Sequence, residues 1–182
     1  MDIYIVSRNP HKQTELRKYL ESLAEVSVKE YAKEINEIQT LNVEELIKDK
    51  LIKAFQFVKS PVIVEHTGLF LDEFDGFPGG LTQPFWDKLQ KEKFCHYFKS
   101  TPLKAKTVIG FCDGKQNHYF EGEIEGIVAN EPRGDDSFQW DCVFIPKGYD
   151  KTFAELGDEK LKISMRKLAF DKFEKYIRDN YV

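Results

Sequence analysis

The chain has 182 residues, 41% of them hydrophobic and 32% charged, a composition that suits one folded domain spanning residues 1–182. Its net charge of −4 disfavours general nucleic-acid binding, and it carries neither a basic leader nor an apolar run of membrane-spanning length. The three cysteines have no Cys-x-x-Cys spacing, so we expect reduced thiols in a cytoplasmic protein rather than disulfides or a zinc site.

The first elements alternate between strand and helix. Residues 3–6 predict a strand, and Asn9 with Pro10 is typical of a helix start, because asparagine caps the free N–H groups and proline suits the first helical position. A short strand is expected to begin at 26–28, and a helix capped by asparagine over about 42–58.

The apolar run 62–64 predicts a buried strand that ends at a Thr67-Gly68 turn. Glu65 and His66 are then expected at the carboxyl end of the strand, where open α/β sheets bind ligands. The remaining predicted elements are a returning strand at 69–71, a loop at 77–80, a helix at 85–98, a hairpin of 106–112 with 118–127, a strand at 138–145 and a helix at about 159–178. This order predicts an α/β fold with a long mixed sheet.

The predicted strand-to-helix turn from Ser7 to Lys12 is one candidate anion site. Free N–H groups and the helix dipole favour a negative charge there, and Lys12 adds a full positive charge. A plain capped turn with a surface lysine is the structural alternative, and spacing alone does not separate the two readings.

Lys50 falls inside the apolar stripe of its predicted helix, where a charge is costly unless it meets a partner or a ligand. A lysine that reaches solvent from the edge of the stripe is the alternative. Magnesium takes oxygen ligands, so Glu34, Glu37 and Glu65 are candidate metal ligands. Most glutamates in such a chain are simply solvated.

A second group of candidates lies in the last third of the chain. Phe138 is able to stack on a base, and Asp141 to accept a hydrogen bond from a purine N–H group. Lys160 and Arg166 flank the start of the last predicted helix, where cations can meet a phosphate or a base carbonyl. Met165 fits the apolar stripe of that helix, so we expect it to pack in the core.

These segments together resemble the inosine triphosphate pyrophosphatase family, in the same order and over nearly the whole chain. The segments that carry the resemblance are Ser7-x-Asn9-x-x-Lys12, Glu37-Ile38-Gln39, Lys50, Gly76-Phe77-Pro78-Gly79, Phe138-Gln139-Trp140-Asp141, Thr152-Phe153-Ala154-Glu155, Lys160 and Ser164-Met165-Arg166. The resemblance implies a two-lobed α/β fold with a central cleft, a homodimer, and Mg²⁺-dependent hydrolysis of ITP, dITP or XTP to the monophosphate and pyrophosphate.

Site roles also follow from the resemblance. They assign the triphosphate to Ser7, Asn9, Lys12 and Lys50, the metal to Glu37 and Glu65, and the base to Phe138, Asp141, Lys160 and Arg166.

The chain departs from the family pattern at several positions. His66 stands where the family has an aspartate that orients the metal and activates water, and Met165 stands where it has a histidine that contacts the base. Gln83 replaces a lysine that many members have, and Gln139 replaces a glycine. The loss at Met165 leaves the base preference open.

The change at His66 leads to the main functional hypothesis. A missing general base typically costs ~10²–10⁴ in rate, whereas the phosphate-binding lysines and the stacking ring remain. We therefore expect a nucleotide sensor that binds more than it hydrolyses and has an effector protein as its partner. Because imidazole is a competent base and a ligand for transition metals, an active pyrophosphatase that uses Mn²⁺ is the alternative. A structural subunit without a ligand is a weaker third reading.

Overall fold

The computed structural model describes residues 1–21, 23 and 26–181. Its strands are β1 (Asp2–Val6), β2 (Ser27–Tyr31), β3 (Val62–Leu71), β4 (Pro78–Gly79), β5 (Pro102–Cys112), β6 (Asn117–Val128) and β7 (Phe144–Pro146). Its α-helices are α1 (Pro10–Leu20), α2 (Val43–Val58), α3 (Thr82–Phe98), α4 (Phe153–Leu156), α5 (Lys160–Ile163) and α6 (Met165–Tyr181).

Within the described residues, seven strands form one mixed sheet in the order β2-β1-β3-β5-β6-β7, with β4 paired to β3. The strands β1, β2 and β3 pair in parallel, and the pairs from β3 through β5 and β6 to β7 are antiparallel. The predicted α/β fold with a long mixed sheet is therefore confirmed.

Three clusters of buried residues form the cores of two lobes, two clusters in one lobe and one in the other. One lobe packs α1, α2 and α6 against the parallel end of the sheet, with Ile5, Ile47 and Phe173 fully buried. The other lobe packs α3 and the segment around Trp140 against the far halves of β3 and β5. Because β3 and β5 run through both lobes, the space between the lobes is a cleft beside the middle of β3.

The predicted helix starts are confirmed where a local side chain sets them. Asn9 Oδ1 accepts hydrogen bonds from His11 N at 3.0 Å and Lys12 N at 3.3 Å, and α1 begins at the next residue, Pro10. Asn42 caps α2 in the same way through the N–H groups of the second and third residues after it. These caps satisfy donors that would otherwise be unpaired at a helix end.

The predicted turn at Thr67-Gly68 is wrong, because both residues lie inside β3, opposite Thr107 and Lys106 of β5. A Cβ atom on Gly68 would lie 2.6 Å from the carbonyl oxygen of Gly79, so the glycine serves the close approach of β4 and not a turn. Glu65 and His66 therefore stand in the middle of a ten-residue strand. They reach the cleft because β1 pairs with β3 only as far as Ile63.

Two further predictions need correction. The expected strand at 138–145 is a 3₁₀ helix over Gln139–Val143 followed by the short strand β7, since Gln139 has a left-handed backbone with φ of 43°. The expected single helix at 159–178 is broken at Ser164, whose extended backbone separates α5 from α6. The Ser164 Oγ atom accepts a hydrogen bond from Lys167 N at 3.2 Å and so helps to start α6.

None of the described helices is both long enough and apolar enough to cross a membrane.

Candidate nucleotide site

A cavity of about 840 Å³ opens in the cleft, and we call it the phosphate cavity. It is lined by the β1–α1 turn, the irregular segment after β2, Lys50 of α2, His66 and Thr67 of β3, the start of α3 and Gln139. The carboxyl end of the parallel strand β1 and the amino end of α1 therefore face the same space, an arrangement that favours anions.

The β1–α1 turn is held by its own side chains. Ser7 Oγ accepts a hydrogen bond from Asn9 N at 3.1 Å, while Asn9 Oδ1 caps α1. Gln13 Nε2 donates to the Ser7 carbonyl oxygen at 2.8 Å and so fixes the turn from the following helical turn. Ser7, Asn9 and Lys12 consequently line the phosphate cavity together.

Lys50 points inward, and its side chain is 12% exposed. Its Nζ atom donates to Glu37 Oε1 and, at 3.0 Å, to the backbone carbonyl of Glu65. Burial would raise the pKa of the Glu37 carboxyl, but the charge of Lys50 outweighs burial and lowers it. Glu37 is therefore ionised at neutral pH.

Glu65 is fully buried and is held by two cations. Lys12 Nζ contacts its Oε1 atom, and Arg166 Nε donates to its Oε2 atom at 3.1 Å. Thr67 Oγ1 adds a hydrogen bond to Oε2 at 2.9 Å. Burial would raise the pKa of Glu65, yet Lys12 and Arg166 hold it far below its ordinary value. Burial of Lys12 disfavours its positive charge and lowers its pKa, although the charge of Glu65 opposes that shift.

His66 lies beside these carboxylates and is 4% exposed. Its Nδ1 atom is 3.6 Å from Glu37 Oε2, and its Nε2 atom has no hydrogen-bond partner within the part of the chain that the structure describes. Burial, reinforced by the charge of Lys12, lowers the pKa of His66 to about 4. The imidazole is therefore neutral at physiological pH.

A divalent cation such as Mg²⁺ would need oxygen ligands in this cleft. Across residues 1–21, 23 and 26–181, no group of three or more His, Cys, Asp or Glu side chains gathers closely enough to hold a metal by itself. Mg²⁺, however, usually takes one or two carboxylates and completes its shell with water and phosphate oxygens. Glu37 lines the phosphate cavity, and Lys50 takes only its Oε1 atom, so one carboxylate oxygen remains for a cation. Both oxygens of Glu65 are held by Lys12, Arg166 and Thr67. Glu34, the third candidate, lies at the cavity mouth and pairs with Arg8.

A second cavity of about 420 Å³ is lined by Phe138, and we call it the base cavity. Lys160 Nζ sits 4.0 Å from the centroid of the Phe138 ring, and the His11 ring meets it edge-on at 5.4 Å. Asp141 forms an ion pair with Lys160. Burial raises the pKa of Asp141 to about 6, although Lys160 opposes that shift.

Arg166 connects the two cavities. It is fully buried, its Nη1 atom pairs with Glu15 of α1, and its Nε atom pairs with Glu65. Lys160 Nζ lies 3.3 Å from the same Glu15. Six side chains thus alternate in charge from one cavity to the other, and we call them the buried ion chain: Lys12, Glu65, Arg166, Glu15, Lys160 and Asp141.

The predicted site residues fall into two groups around Phe138. The phosphate cavity receives Ser7, Asn9, Lys12, Glu37, Lys50 and His66, and the base cavity receives Phe138, Asp141 and Lys160. Glu65 and Arg166 lie in the wall between them. Met165 is fully buried in the core, as its stripe position predicts.

Glu15 was missed by the sequence reasoning. Its signal is the Lys12-x-x-Glu15 spacing, which puts both side chains on one face of α1. Read alone, that spacing is an ordinary helix-surface pair. Glu15 belongs to the buried ion chain because Arg166 and Lys160, which are distant in sequence, both pair with it in the folded chain.

Comparisons with known proteins agree with this architecture. The family model described as the Ham1 family matches residues 3–176. A Thermococcus kodakarensis protein named dITP/XTP pyrophosphatase is 34% identical over 184 residues, 99% of each chain. A Trypanosoma cruzi protein named inosine triphosphate pyrophosphatase 2 is 33% identical over 92% of this chain and 87% of its own.

Solved structures show the same fold. The HAM1 protein from Coxiella burnetii superimposes with a TM-score of 0.82 at 22% identity, covering 98% of this chain and 99% of that one. The resemblance found in the sequence is thereby confirmed, and the chain belongs to the Ham1 family.

Proposed function

We propose that the chain binds a purine nucleoside triphosphate of the ITP, dITP and XTP class. The observation that carries the proposal is that consecutive residues line the two cavities, Phe138 the base cavity and Gln139 the phosphate cavity. A cationic cavity beside an aromatic one matches the two ends of a nucleotide. The names of the curated relatives, dITP/XTP and inosine triphosphate pyrophosphatases, support the same class.

The triphosphate is assigned to Ser7, Asn9, Lys12 and Lys50. Lys12 and Lys50 supply full positive charges, and the amino end of α1 supplies its dipole. Glu37 and Glu65 would hold Mg²⁺ or Mn²⁺, which when bound neutralises phosphate charge and polarises the bond to be cleaved. Lys12 and Lys50 now pair with these two carboxylates, so the lysines must move toward phosphate to release them.

The base is assigned to Phe138, Asp141, Lys160 and Arg166. Phe138 offers a ring face for stacking, and the ionised carboxylate of Asp141 accepts a hydrogen bond from the N1–H group of hypoxanthine or xanthine. Adenine carries a lone pair at N1 and no hydrogen, so the same carboxylate disfavours ATP. Lys160 and Arg166 offer donors to the 6-carbonyl oxygen that adenine lacks.

Hydrolysis is proposed to be slow because His66 occupies the aspartate position of the family. Burial beside Lys12 lowers the pKa of His66 to about 4, so the neutral imidazole is a weak base for water. The site also has one negative charge fewer with which to hold a cation. Binding without efficient turnover is the property of a sensor, which would act as a homodimer through an effector protein.

An active pyrophosphatase is the second candidate. It is favoured by His66, which lines the phosphate cavity with its Nδ1 atom beside Glu37. The buried Nε2 atom has no hydrogen-bond partner among the described residues. A neutral imidazole oriented by a carboxylate is able to take a proton from water. This candidate would use a transition metal such as Mn²⁺ more readily than Mg²⁺.

One experiment separates the two candidates. The purified protein is given ITP, dITP, XTP or ATP with Mg²⁺ or Mn²⁺, and both binding and pyrophosphate release are measured for wild type, His66→Asp and the surface control His96→Asp. The sensor reading expects ITP binding with little release, and a gain of ~10²-fold or more in release for His66→Asp alone. Wild-type turnover that His66→Asp fails to improve would instead establish the active enzyme. Failure to bind any purine triphosphate would reject both candidates.

A further inference from the structure

Two positions that depart separately from the family pattern touch each other in the structure. Gln83 stands at the start of α3 and Gln139 at the start of the 3₁₀ helix, 56 residues apart. The Nε2 atom of Gln139 donates a hydrogen bond to Oε1 of Gln83, and both residues line the phosphate cavity. The lysine and the glycine of the family pattern could not form such an amide pair.

The orientation of this pair is dictated by a carboxylate. Gln83 Nε2 donates to Asp87 Oδ1 at 2.7 Å, one turn further along α3. Because an ionised carboxylate only accepts, Gln83 must turn its nitrogen to Asp87 and its oxygen to Gln139. Gln139 must in turn present its nitrogen to Gln83. The side-chain oxygen of Gln139, Oε1, then has no hydrogen-bond donor among the described residues.

The backbone of Gln139 has a conformation that does not suit glutamine. Its φ of 43° lies in the left-handed region, where a Cβ atom crowds the backbone. Glycine would adopt this conformation freely. The backbone conformation at position 139 therefore favours glycine over glutamine. What glutamine adds there is the oriented side-chain amide.

The location of the Gln139 amide indicates which part of a nucleotide it would contact. Phe138 lines the base cavity and Gln139 lines the phosphate cavity, so the sugar of a nucleotide that occupies both cavities must pass these two residues. We propose that the free Oε1 atom of Gln139 accepts a hydrogen bond from the 2′-hydroxyl of that sugar. The protein accordingly prefers ribonucleotides, ITP and XTP, to dITP. This inference rests on the proposed nucleotide binding.

The test measures the dissociation constants of ITP, dITP and inorganic tripolyphosphate by calorimetry for four proteins: wild type, Gln139→Gly, Asp87→Ala and the surface control Asp179→Ala. Wild type is expected to bind ITP about 2- to 10-fold more tightly than dITP, the range of one net hydrogen bond. Gln139→Gly should lose this preference without weakening dITP or tripolyphosphate, and it should fold well because glycine suits the backbone there.

Asp87→Ala is a second, independent arm, because Asp87 acts only by positioning the two amides. It should reduce the ITP-to-dITP preference while leaving tripolyphosphate binding unchanged, and Asp179→Ala should change nothing. Equal affinity of wild type for ITP and dITP would overturn the inference and leave the proposed function standing. An equal loss of affinity for ITP and dITP in Gln139→Gly would also overturn the inference, because Gln139 would then contact the nucleotide at a group that both share. If wild type binds neither nucleotide, the proposed function and this inference both fail.

Discussion

At the scale of single residues, Glu65 shows how two large and opposite effects are resolved. Burial disfavours its charge, while Lys12 and Arg166 favour it, and the direction of its pKa shift shows that the cations win. A buried charge that has lost its partners is far costlier than a surface one. The stability of the cleft therefore depends on keeping this carboxylate and its two cations together.

Replacing Glu65 by glutamine is expected to destabilise the protein by about 3–5 kcal/mol, because Lys12 and Arg166 would stay buried without their shared partner. Urea denaturation at neutral pH measures this loss. The matched control is Glu30→Gln, which removes a carboxylate paired with the half-exposed Arg17 and should cost under about 1 kcal/mol. Equal effects of the two substitutions would contradict the assignment.

The raised pKa of Asp141 predicts a pH dependence of ITP binding. Burial, opposed by Lys160, puts this pKa at about 6, so the carboxylate that accepts the purine N1–H becomes fully ionised only above that pH. ITP affinity should rise between pH 5 and pH 7 with a midpoint near 6, as followed by equilibrium binding. Asp141→Asn should bind ITP weakly and without this midpoint, and an unchanged profile in that variant would place the titrating group elsewhere.

At the scale of elements, the sequence predicted best those features that neighbouring residues determine. Asn9 and Asn42 start α1 and α2 where their capping side chains predict, and β5 and β6 form the predicted hairpin. The apolar stripe of α2 left open whether Lys50 points inward or reaches solvent, and the structure places it inward. For the two helix starts, the decisive contact lies within three residues of the capping asparagine.

The errors arose where distant segments decide the local structure. Gly68 was read as part of a turn, but β4 approaches it so closely that only a glycine fits within the strand. The break at Ser164 and the 3₁₀ helix after Phe138 serve a site that exists only when three parts of the chain meet. For the same reason, no local pattern reveals Glu15 as a partner of Arg166.

The contact between α6 and β6 gives a prediction at this scale. A Cβ atom on Gly122 would lie 2.0 Å from Met165 O and 2.5 Å from Ala169 N, which are backbone atoms unable to move aside. Gly122→Ala should therefore shift α6, together with Arg166, and destabilise the fold by at least about 1–3 kcal/mol. Gly148→Ala has open space around it and should cost only about 1 kcal/mol for its backbone. Thermal and urea denaturation of both variants checks the difference.

At the scale of the whole molecule, β3 and β5 form a continuous span through both lobes. Because these strands cross from one hydrophobic core into the other, we expect the cleft to be largely formed before a ligand arrives. Ligand binding then stabilises the protein by mass action. A ligand at a hundred times its dissociation constant adds about 2.7 kcal/mol.

That linkage predicts a rise in the melting temperature with ITP. For a chain of this size, the expected shift at saturating ITP is roughly 5–10 °C. ATP at the same concentration should give a much smaller shift, and Lys12→Met should reduce the response to ITP. A shift of the same size with ATP and ITP would show that the base cavity does not discriminate.

The ion pairs Lys12–Glu65 and Lys50–Glu37 have a consequence for how a nucleotide and a cation bind. In the present arrangement, Lys12 and Lys50 are held by the same carboxylates that are proposed to hold the cation. A cation alone must compete with lysines, and a triphosphate alone must compete with carboxylates. Together, each ligand releases the groups that the other needs. The two ligands should therefore show positive heterotropic cooperativity, and thermodynamic reciprocity requires ITP to raise the affinity for the cation by the same factor as the cation raises that for ITP.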